Sequence, residues 1–289
     1  MKALPVVLVR LLQNSKFYLF GITVSLTMLH LLLIWRVSGD VDQLIISVLF
    51  WGAILCLVWR KRDTLNLESG IFSSFVGFLL IALVFYKSIS LFWVEYSLVK
   101  IVPLIASLGL CLLASGIKGL KQYWRELFIM LLFCLPASLF TQIVDQLFQV
   151  GTLTAQFAVF VLWYLGFAVS RQGATIILPI GSVFVAPACT GISTALLLLK
   201  LSVIFIFIFP TDWNKKILLV VGAIFIAFVS SGIRVAIIAT AVANQEAFNY
   251  WHGGPGNQIF STISILLFGL LCRRWRSPNK LVSPDMELS

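Results

Sequence analysis

Apolar stretches of about membrane-spanning length recur along this chain. A transmembrane helix needs about 20 mostly apolar residues. Such stretches lie at 17–37, 43–59, 70–86, 97–117, 127–141, 190–209, 217–243 and 257–272. Apolar residues make up 60% of the chain and charged residues 11%, which excludes a water-soluble protein with a single core. The sequence therefore predicts an all-α polytopic membrane protein with about eight transmembrane helices in a lipid bilayer.

The basic residues between these stretches predict the orientation of the chain. They cluster near residues 2–16, 60–62, 118–125, 215–216 and 273–280. Cytoplasmic loops are enriched in Lys and Arg, so both termini are predicted to be cytoplasmic. The net charge of +10 comes from these short clusters and forms no continuous basic face, so no nucleic-acid partner is expected.

A ninth apolar stretch, 146–170, is predicted to stay on the outer side of the membrane. Arg125 and Lys215 are both expected on the cytoplasmic side, so an even number of spans must separate them. The predicted spans 127–141 and 190–209 already supply two. Polar residues recur in this region at a spacing that places them on one face of a helix lying in the outer interface, namely Asp145, Gln149, Thr152 and Gln156. The alternative that 146–170 crosses the membrane stays open, because 157–169 is apolar all round.

In the run ATIILPIGSVFVAP, the apolar residues no longer follow the period of a helix. Its β-branched and aromatic residues flank Gly181-Ser182, which predicts a short β-hairpin at the outer surface. Cys189 follows directly, in the segment VAPACTGIST. We expect Pro187 to end the strand, Thr190 to cap the next helix, and Gly191 to leave room around the sulfur.

Cys189 differs from the other four cysteines of the chain. It is predicted to lie outside the membrane at a helix start, where the helix dipole lowers a thiol pKa and favours a nucleophilic thiolate. A packing role at a turn is the alternative. The remaining cysteines fall in apolar helices and are predicted to be small core residues: Cys56, Cys111, Cys134 and Cys272.

Two further residues are predicted to lie at the depth of Cys189. Arg234 is about seventeen residues into its span, roughly 25 Å from the cytoplasmic end. A charged residue within a span marks a functional site by default, although Arg234 could snorkel to the outer headgroups. His252 lies in an outer loop, QEAFNYWHGGPGNQ, whereas His30 falls within the first span and is expected to bond a neighbouring helix.

Together these three residues predict an acyl-transfer site. A thiol nucleophile needs a base, and acyl transfer needs a positive or hydrogen-bonding group where the oxyanion develops. His252 and Arg234 supply these functions beside Cys189. No metal-binding or phosphate-binding motif competes with them, so neither a metal nor a cofactor is expected.

The order of these motifs resembles a known family. Ala-Cys-Thr-Gly-Ile after a surface hairpin, an arginine within a later span, and an aromatic-His-Gly segment before a final helix are similar to the exosortase and archaeosortase family of membrane cysteine transpeptidases. The basic, aromatic-rich spans are similar to its cyanobacterial branch. The family usually has Asn three residues before the arginine, where this chain has Ser231.

The resemblance implies a function for the predicted site. Exosortases recognise membrane-anchored substrate proteins that end in a Pro-Glu-Pro type motif, a transmembrane segment and a basic tail. They cut at this signal and transfer the new carboxyl end to an acceptor. Cys189 would then be the nucleophile, Arg234 the electrostatic partner and His252 the acid and base, on the outer side of a multi-pass plasma membrane protein.

Two other function classes compete with this interpretation. A transporter or channel would use Arg234, Lys200 and Asp145 to line a substrate path. A non-catalytic scaffold would make Cys189 replaceable. In the exosortase interpretation, residues 1–289 form one integral membrane domain, with an N-terminal four-helix part at 17–126, a catalytic core at 127–272 and a cytoplasmic tail at 273–289.

Overall fold

The computed structural model describes residues 15–39, 41–89, 96–209 and 211–275. The chain divides after Leu135 into two compact units. The N-terminal unit contains α1 (Ser15–Ser38), α2 (Val41–Arg60), α3 (Ile71–Ile89), α4 (Tyr96–Gly119), a 3₁₀ turn (Leu120–Tyr123) and α5 (Trp124–Cys134). The expectation of a single membrane domain, with parts that meet at 126/127, stays a prediction.

Small residues bring α3 and α4 into close contact. A Cβ atom on Gly77 would lie 2.7 Å from the backbone oxygen of Gly109, so only glycine fits there. Close approach of this kind is the usual means by which helices associate in lipid, where apolar side chains gain nothing by leaving the bilayer. Farther along α4, Gly116 has a positive φ of 65°, which kinks the helix near its end.

Two polar contacts join other helices of this unit. The buried Nδ1 of His30 accepts a hydrogen bond of 3.2 Å from Trp51 Nε1, which links α1 to α2 as expected for a histidine inside a bundle. After α2, Lys61 lies 2.8 Å from the carboxylate of Glu126 on α5. Only 4% of the Glu126 side chain is exposed, so its charge depends on Lys61.

The C-terminal unit combines six helices with a small sheet in the region that the structure describes. Its elements are α6 (Ala137–Phe148), α7 (Val150–Tyr164), β1 (Ser170–Gln172), β2 (Thr175–Leu178), β3 (Gly181–Phe184), a 3₁₀ turn (Pro187–Cys189), α8 (Ile192–Ile208), α9 (Trp213–Thr240), α10 (Gln245–His252) and α11 (Pro255–Trp275). The long helix α9 packs against α7, α8, α10 and α11. It is therefore the helix around which this unit is organised.

The polytopic all-α membrane fold is confirmed. Within the described residues, six helical stretches are long and apolar enough to cross a membrane: Leu19–Ser38, Gln43–Arg60, Ile71–Ser88, Val99–Cys134, Trp213–Thr240 and Gln245–Trp275. The bent pair α6 and α7 makes a seventh if it is one span. The prediction of about eight spans counted 127–141 and 190–209 as separate spans. In the structure, residues 127–134 belong to the stretch Val99–Cys134. Helix α8, which corresponds to 190–209, has 17 residues and is among the shorter apolar helices.

Two predicted helices have other boundaries in the structure. The span 127–141 is interrupted, because α5 ends at Cys134 and Pro136 precedes α6. The expectation of one continuous helix that carries the polar stripe is also wrong, while its placement in the outer interface stays a prediction. Gln149 adopts a left-handed conformation (φ 49°), and the helices on either side of it form an angle of 72°. Asp145 stabilises this break by accepting a 2.7 Å hydrogen bond from the Gly151 amide.

The predicted hairpin is present as part of a three-stranded antiparallel sheet in the order β1-β2-β3. Its turn lies at Pro179-Ile180, because Leu178 pairs with Gly181. The expected centre at Gly181-Ser182 is therefore two residues too late. The third strand, β1, was not predicted, since its sequence Ser-Arg-Gln has no β-branched or aromatic residue.

Candidate active site

The sheet holds Cys189 against the helices of the C-terminal unit. Val183 and Val185 point into a core shared with α7 and α9, and the same core contains Cys189. The pairing of β2 with β3 continues past the strand, where the Val185 amide donates to Ala174 O at 3.0 Å. The chain then turns sharply through the 3₁₀ segment that ends at Cys189. The hairpin thus fixes the position of the thiol.

Gly191 allows α8 to begin directly beside α9. It has a φ of 80°, and a Cβ atom there would overlap the side chain of Ser231. Gly191, and not Thr190, is the N-cap of α8, while the Thr190 hydroxyl donates to Pro187 O. The expectation for Thr190 was therefore wrong. Glycine is needed here for its backbone conformation and for contact with α9, and not only for space around the sulfur.

The structure brings Cys189 and His252 together, although 63 residues separate them. The sulfur of Cys189 lies 3.5 Å from Nε2 of His252, within hydrogen-bond reach for a thiol. Cys189 is buried, whereas the histidine is exposed. The pair therefore joins a protected thiol to an imidazole that can exchange protons with solvent.

His252 is the last residue of helix α10 and does not lie in a loop, as was expected. The Asn244 side chain caps this helix by accepting hydrogen bonds from the amides of Glu246 and Ala247. One turn before His252, Phe248 stacks on the imidazole with ring centroids 5.2 Å apart and 10° between the planes. An aromatic contact therefore orients the histidine.

Arg234 lies in α9, is 7% exposed, and is near enough to Cys189 for its charge to act on the sulfur. Its buried Nε atom has no hydrogen-bond partner among the residues that the structure describes. The burial contradicts the alternative in which Arg234 snorkels to the headgroups. A buried guanidinium with an unused donor is suited to bind a negative group.

Burial and charge act in opposite directions on Cys189. Burial raises the pKa of the Cys189 thiol, and this effect is larger than the opposing one from the positive charge of Arg234. The helix start was expected to lower the pKa of this thiol, whereas burial raises it. A neutral thiol needs a base for activation, and His252 is the base within reach.

A cavity of about 160 Å³ opens beside the thiol. Strand β3 forms one wall, the C-terminal end of α9 forms another, and α10 closes it. The lining residues are Ser182, Val183, Phe184, Val185, Cys189, Val235, Ile238, Val242, Phe248 and His252. The cavity is thus mainly apolar, and the Cys189 thiol and the His252 imidazole both line it.

The other predicted polar residues have separate environments. Asp145 is engaged at the break between α6 and α7, and Lys200 is half-buried within α8. Ser230 donates to Phe260 O at 3.3 Å. In the described part of the chain, no group of three or more His, Cys, Asp or Glu residues could hold a metal ion.

Phe248 is the site residue that the sequence reasoning missed. Its signal is the spacing of four residues before His252, which places both side chains on one face of a helix. Because the segment was interpreted as a loop, this spacing carried no meaning. Recognising Asn244 as an N-cap before Glu246 would have predicted α10 and hence the stacked pair.

The comparison with family models supports the family resemblance found in the sequence. Residues 35–269 match the family model described as transmembrane exosortase. No curated protein and no solved structure matches the chain. The matched family model does not distinguish a cyanobacterial branch, which stays a prediction. Because the match covers far more than half of the sequence, the chain belongs to the transmembrane exosortase family, which is a family of membrane proteases and transpeptidases.

Proposed function

We propose that this protein is a membrane-embedded cysteine transpeptidase in which Cys189 is the nucleophile and His252 the acid and base. The observation that carries the proposal is the 3.5 Å distance between the Cys189 sulfur and His252 Nε2. The raised pKa of the thiol supports it further, because the sulfur needs this base to react near neutral pH.

The reaction begins when Nε2 of His252 takes the proton of the Cys189 thiol. The thiolate attacks the scissile carbonyl carbon and forms a tetrahedral oxyanion. When this intermediate collapses, the C–N bond breaks, and the imidazolium gives its proton to the leaving amine. The product is a thioester between Cys189 and the new carboxyl end of the substrate. An acceptor amine, or water, then attacks the thioester and restores the thiol.

Arg234 supplies the positive charge for this chemistry. It is buried, and its charge already acts on the Cys189 sulfur. In a buried site such a charge stabilises a developing oxyanion far better than it would in water. Binding of a substrate carboxylate by the guanidinium is the second role that its unused donor allows.

The substrates in this proposal are exported, membrane-anchored proteins with a C-terminal sorting signal. The signal is a Pro-Glu-Pro type motif followed by an apolar span and a basic tail. The enzyme is a multi-pass plasma membrane protein with both termini in the cytoplasm and with Cys189 on the extracytoplasmic side. The clusters of basic residues between the spans support this orientation.

A reporter protein with such a C-terminal signal tests the proposal. When it is co-expressed with the Cys189→Ala variant, the uncleaved reporter should accumulate in the membrane. Cys134→Ala is the matched control, because it removes another cysteine of the same chain that does not line the cavity. The control should process the reporter at the unmodified rate. Normal processing by Cys189→Ala would contradict the cysteine mechanism.

A further inference from the structure

Strand β3 is an edge strand with unused hydrogen-bonding groups. The sheet order is β1-β2-β3, so the far side of β3 pairs with no strand in the described part of the chain. The Val185 amide points toward β2, since it donates to Ala174 O. Backbone groups alternate in direction along an antiparallel strand, so Ser182 and Phe184 point their N–H and C=O groups away from β2.

This free edge opens into the cavity that Cys189 and His252 line. Four consecutive residues of this segment, 182–185, line the cavity together with Cys189 and His252. Consecutive side chains point to opposite faces of a strand, so four neighbours can share one cavity only when the strand edge faces it. The unpaired backbone groups therefore lie beside the thiol.

The two edges of the sheet differ in their protection. On β1, Arg171 is an exposed charged residue whose guanidinium donates to Gly173 O at 2.6 Å. Charged residues on an edge strand are a common means of preventing further pairing. The sequence of β3, Gly-Ser-Val-Phe, contains neither a charge nor a proline, and the Phe184 side chain is 65% exposed. Only the edge beside the thiol is left open.

We infer that the substrate segment next to the scissile bond binds as an added strand on the free edge of β3. Ser182 and Phe184 would supply the backbone hydrogen bonds, and the strand would lead the scissile carbonyl to Cys189. Recognition by strand addition draws affinity from the main chain and leaves side-chain selection to neighbouring pockets. The inference rests on the proposed function, and it names how that site holds its extended peptide substrate.

A proline at each edge tests the inference. Phe184→Pro removes an N–H that points to the cavity, and it should lower the rate of reporter processing by about fivefold, the worth of one hydrogen bond. Phe184→Ala keeps that N–H and should lose less. Arg171→Pro is the matched control, because the register of β1 on β2 turns its N–H to the opposite edge. It should process the reporter normally.

Disulfide cross-linking gives a second test in a protein without an added proline. Ser182→Cys is combined with Cys189→Ala, and single cysteines are placed at successive positions of the reporter next to its Pro-Glu-Pro motif. An added strand predicts cross-links at every second reporter position, because side chains alternate between faces. Arg171→Cys, on the opposite edge, should give none of this pattern.

The outcomes separate this inference from the proposed function. If Cys189→Ala processes the reporter, the proposed function is wrong. If Cys189→Ala blocks processing, two results overturn the inference alone. One is equal processing by Phe184→Pro and Arg171→Pro, and the other is cross-linking from Ser182→Cys without a two-residue period. Should Phe184→Pro perturb the fold, shown by a changed rate of Cys189 alkylation, the cross-linking pattern decides.

Discussion

Phe248 and His252 lie one turn apart on α10, and the phenyl ring stacks on the imidazole at 5.2 Å with 10° between the ring planes. No other side chain in the described residues makes a hydrogen bond to this imidazole besides Cys189. The site therefore contains a cysteine–histidine pair whose histidine is oriented by an aromatic ring. In many hydrolases a carboxylate or an amide orients the histidine instead.

The first prediction concerns the pH dependence of the thiol. In the unmodified protein, His252 can accept the proton of Cys189, so iodoacetamide should already alkylate this thiol near neutral pH. In His252→Ala the thiol must ionise alone, and burial raises its pKa. The alkylation profile should therefore shift to higher pH.

Phe248→Ala should shift this profile in the same direction but by less. Loss of the stacking contact should lower the alkylation rate at pH 7 by about fivefold, the worth of one aromatic pair. Phe248→Trp, which keeps a ring at this position, is the control and should retain most of the rate.

For the first prediction as a whole, an unchanged alkylation profile in His252→Ala would show that the histidine does not activate the thiol.

The second prediction separates charge from geometry at Arg234. Arg234→Ala should lower reporter processing by about 100-fold, because removal of a group that stabilises an oxyanion typically costs this much. Arg234→Lys keeps the positive charge and should recover part of the loss. Processing by Arg234→Lys that is as low as in Arg234→Ala would instead indicate two-point binding of a substrate carboxylate, which requires the planar guanidinium.

Residues of this site that neighbouring sequence identifies could be predicted, whereas contacts between residues far apart in the chain could not. Cys189 could be recognised locally, because it follows a strand pattern and precedes an apolar helix. The charge of Arg234 within an apolar helix is a local signal as well. The pairing of Cys189 with His252 is different, since it requires α8 and α9 to return the chain to the same end of the unit.

The parts of the fold that escaped prediction have physical causes. The break at Gln149 depends on a left-handed backbone in a residue other than glycine, which is uncommon and has no strong sequence signal. It is compensated by the hydrogen bond from the Gly151 amide to Asp145. The end of α5 had a local signal that the predicted span 127–141 did not use, because the residue before a proline, here Leu135 before Pro136, avoids the helical conformation.

The third prediction concerns the contact between the thiol segment and α9. Gly191→Ala forces a left-handed conformation on alanine, which costs about 1–2 kcal/mol. It also sets a Cβ atom 2.9 Å from the backbone oxygen of Ala227. Thermal unfolding in detergent should occur at a lower temperature, and reporter processing should fall.

Gly253→Ala is the matched control for this change. Gly253 has a φ of −128°, and a Cβ atom added there would meet no heavy atom within 4 Å, so alanine fits without strain. Its unfolding temperature should stay close to that of the unmodified protein. Equal unfolding temperatures for Gly191→Ala and Gly253→Ala would contradict the close packing of α8 against α9.

The fourth prediction concerns the N-terminal unit. Glu126→Ala leaves the Lys61 charge without its buried partner and should destabilise the protein by about 3 kcal/mol. Asp63→Ala removes the acidic partner of Arg62, and that carboxylate side chain is 79% exposed. Its effect should be within about 0.5 kcal/mol, because exposed ion pairs contribute little. Denaturant unfolding that ranks these two variants equally would contradict the burial of the Lys61–Glu126 pair.

The central claim is that Cys189 forms a covalent bond to the substrate. The most direct measurement is mass spectrometry of the purified enzyme after incubation with the reporter and rapid quenching in acid. The account predicts a thioester on the peptide that contains Cys189, carrying the new carboxyl end of the reporter and removable by hydroxylamine. Processing of the reporter at an undiminished rate by Cys189→Ala, with no adduct on Cys189 in the unmodified enzyme, would contradict it.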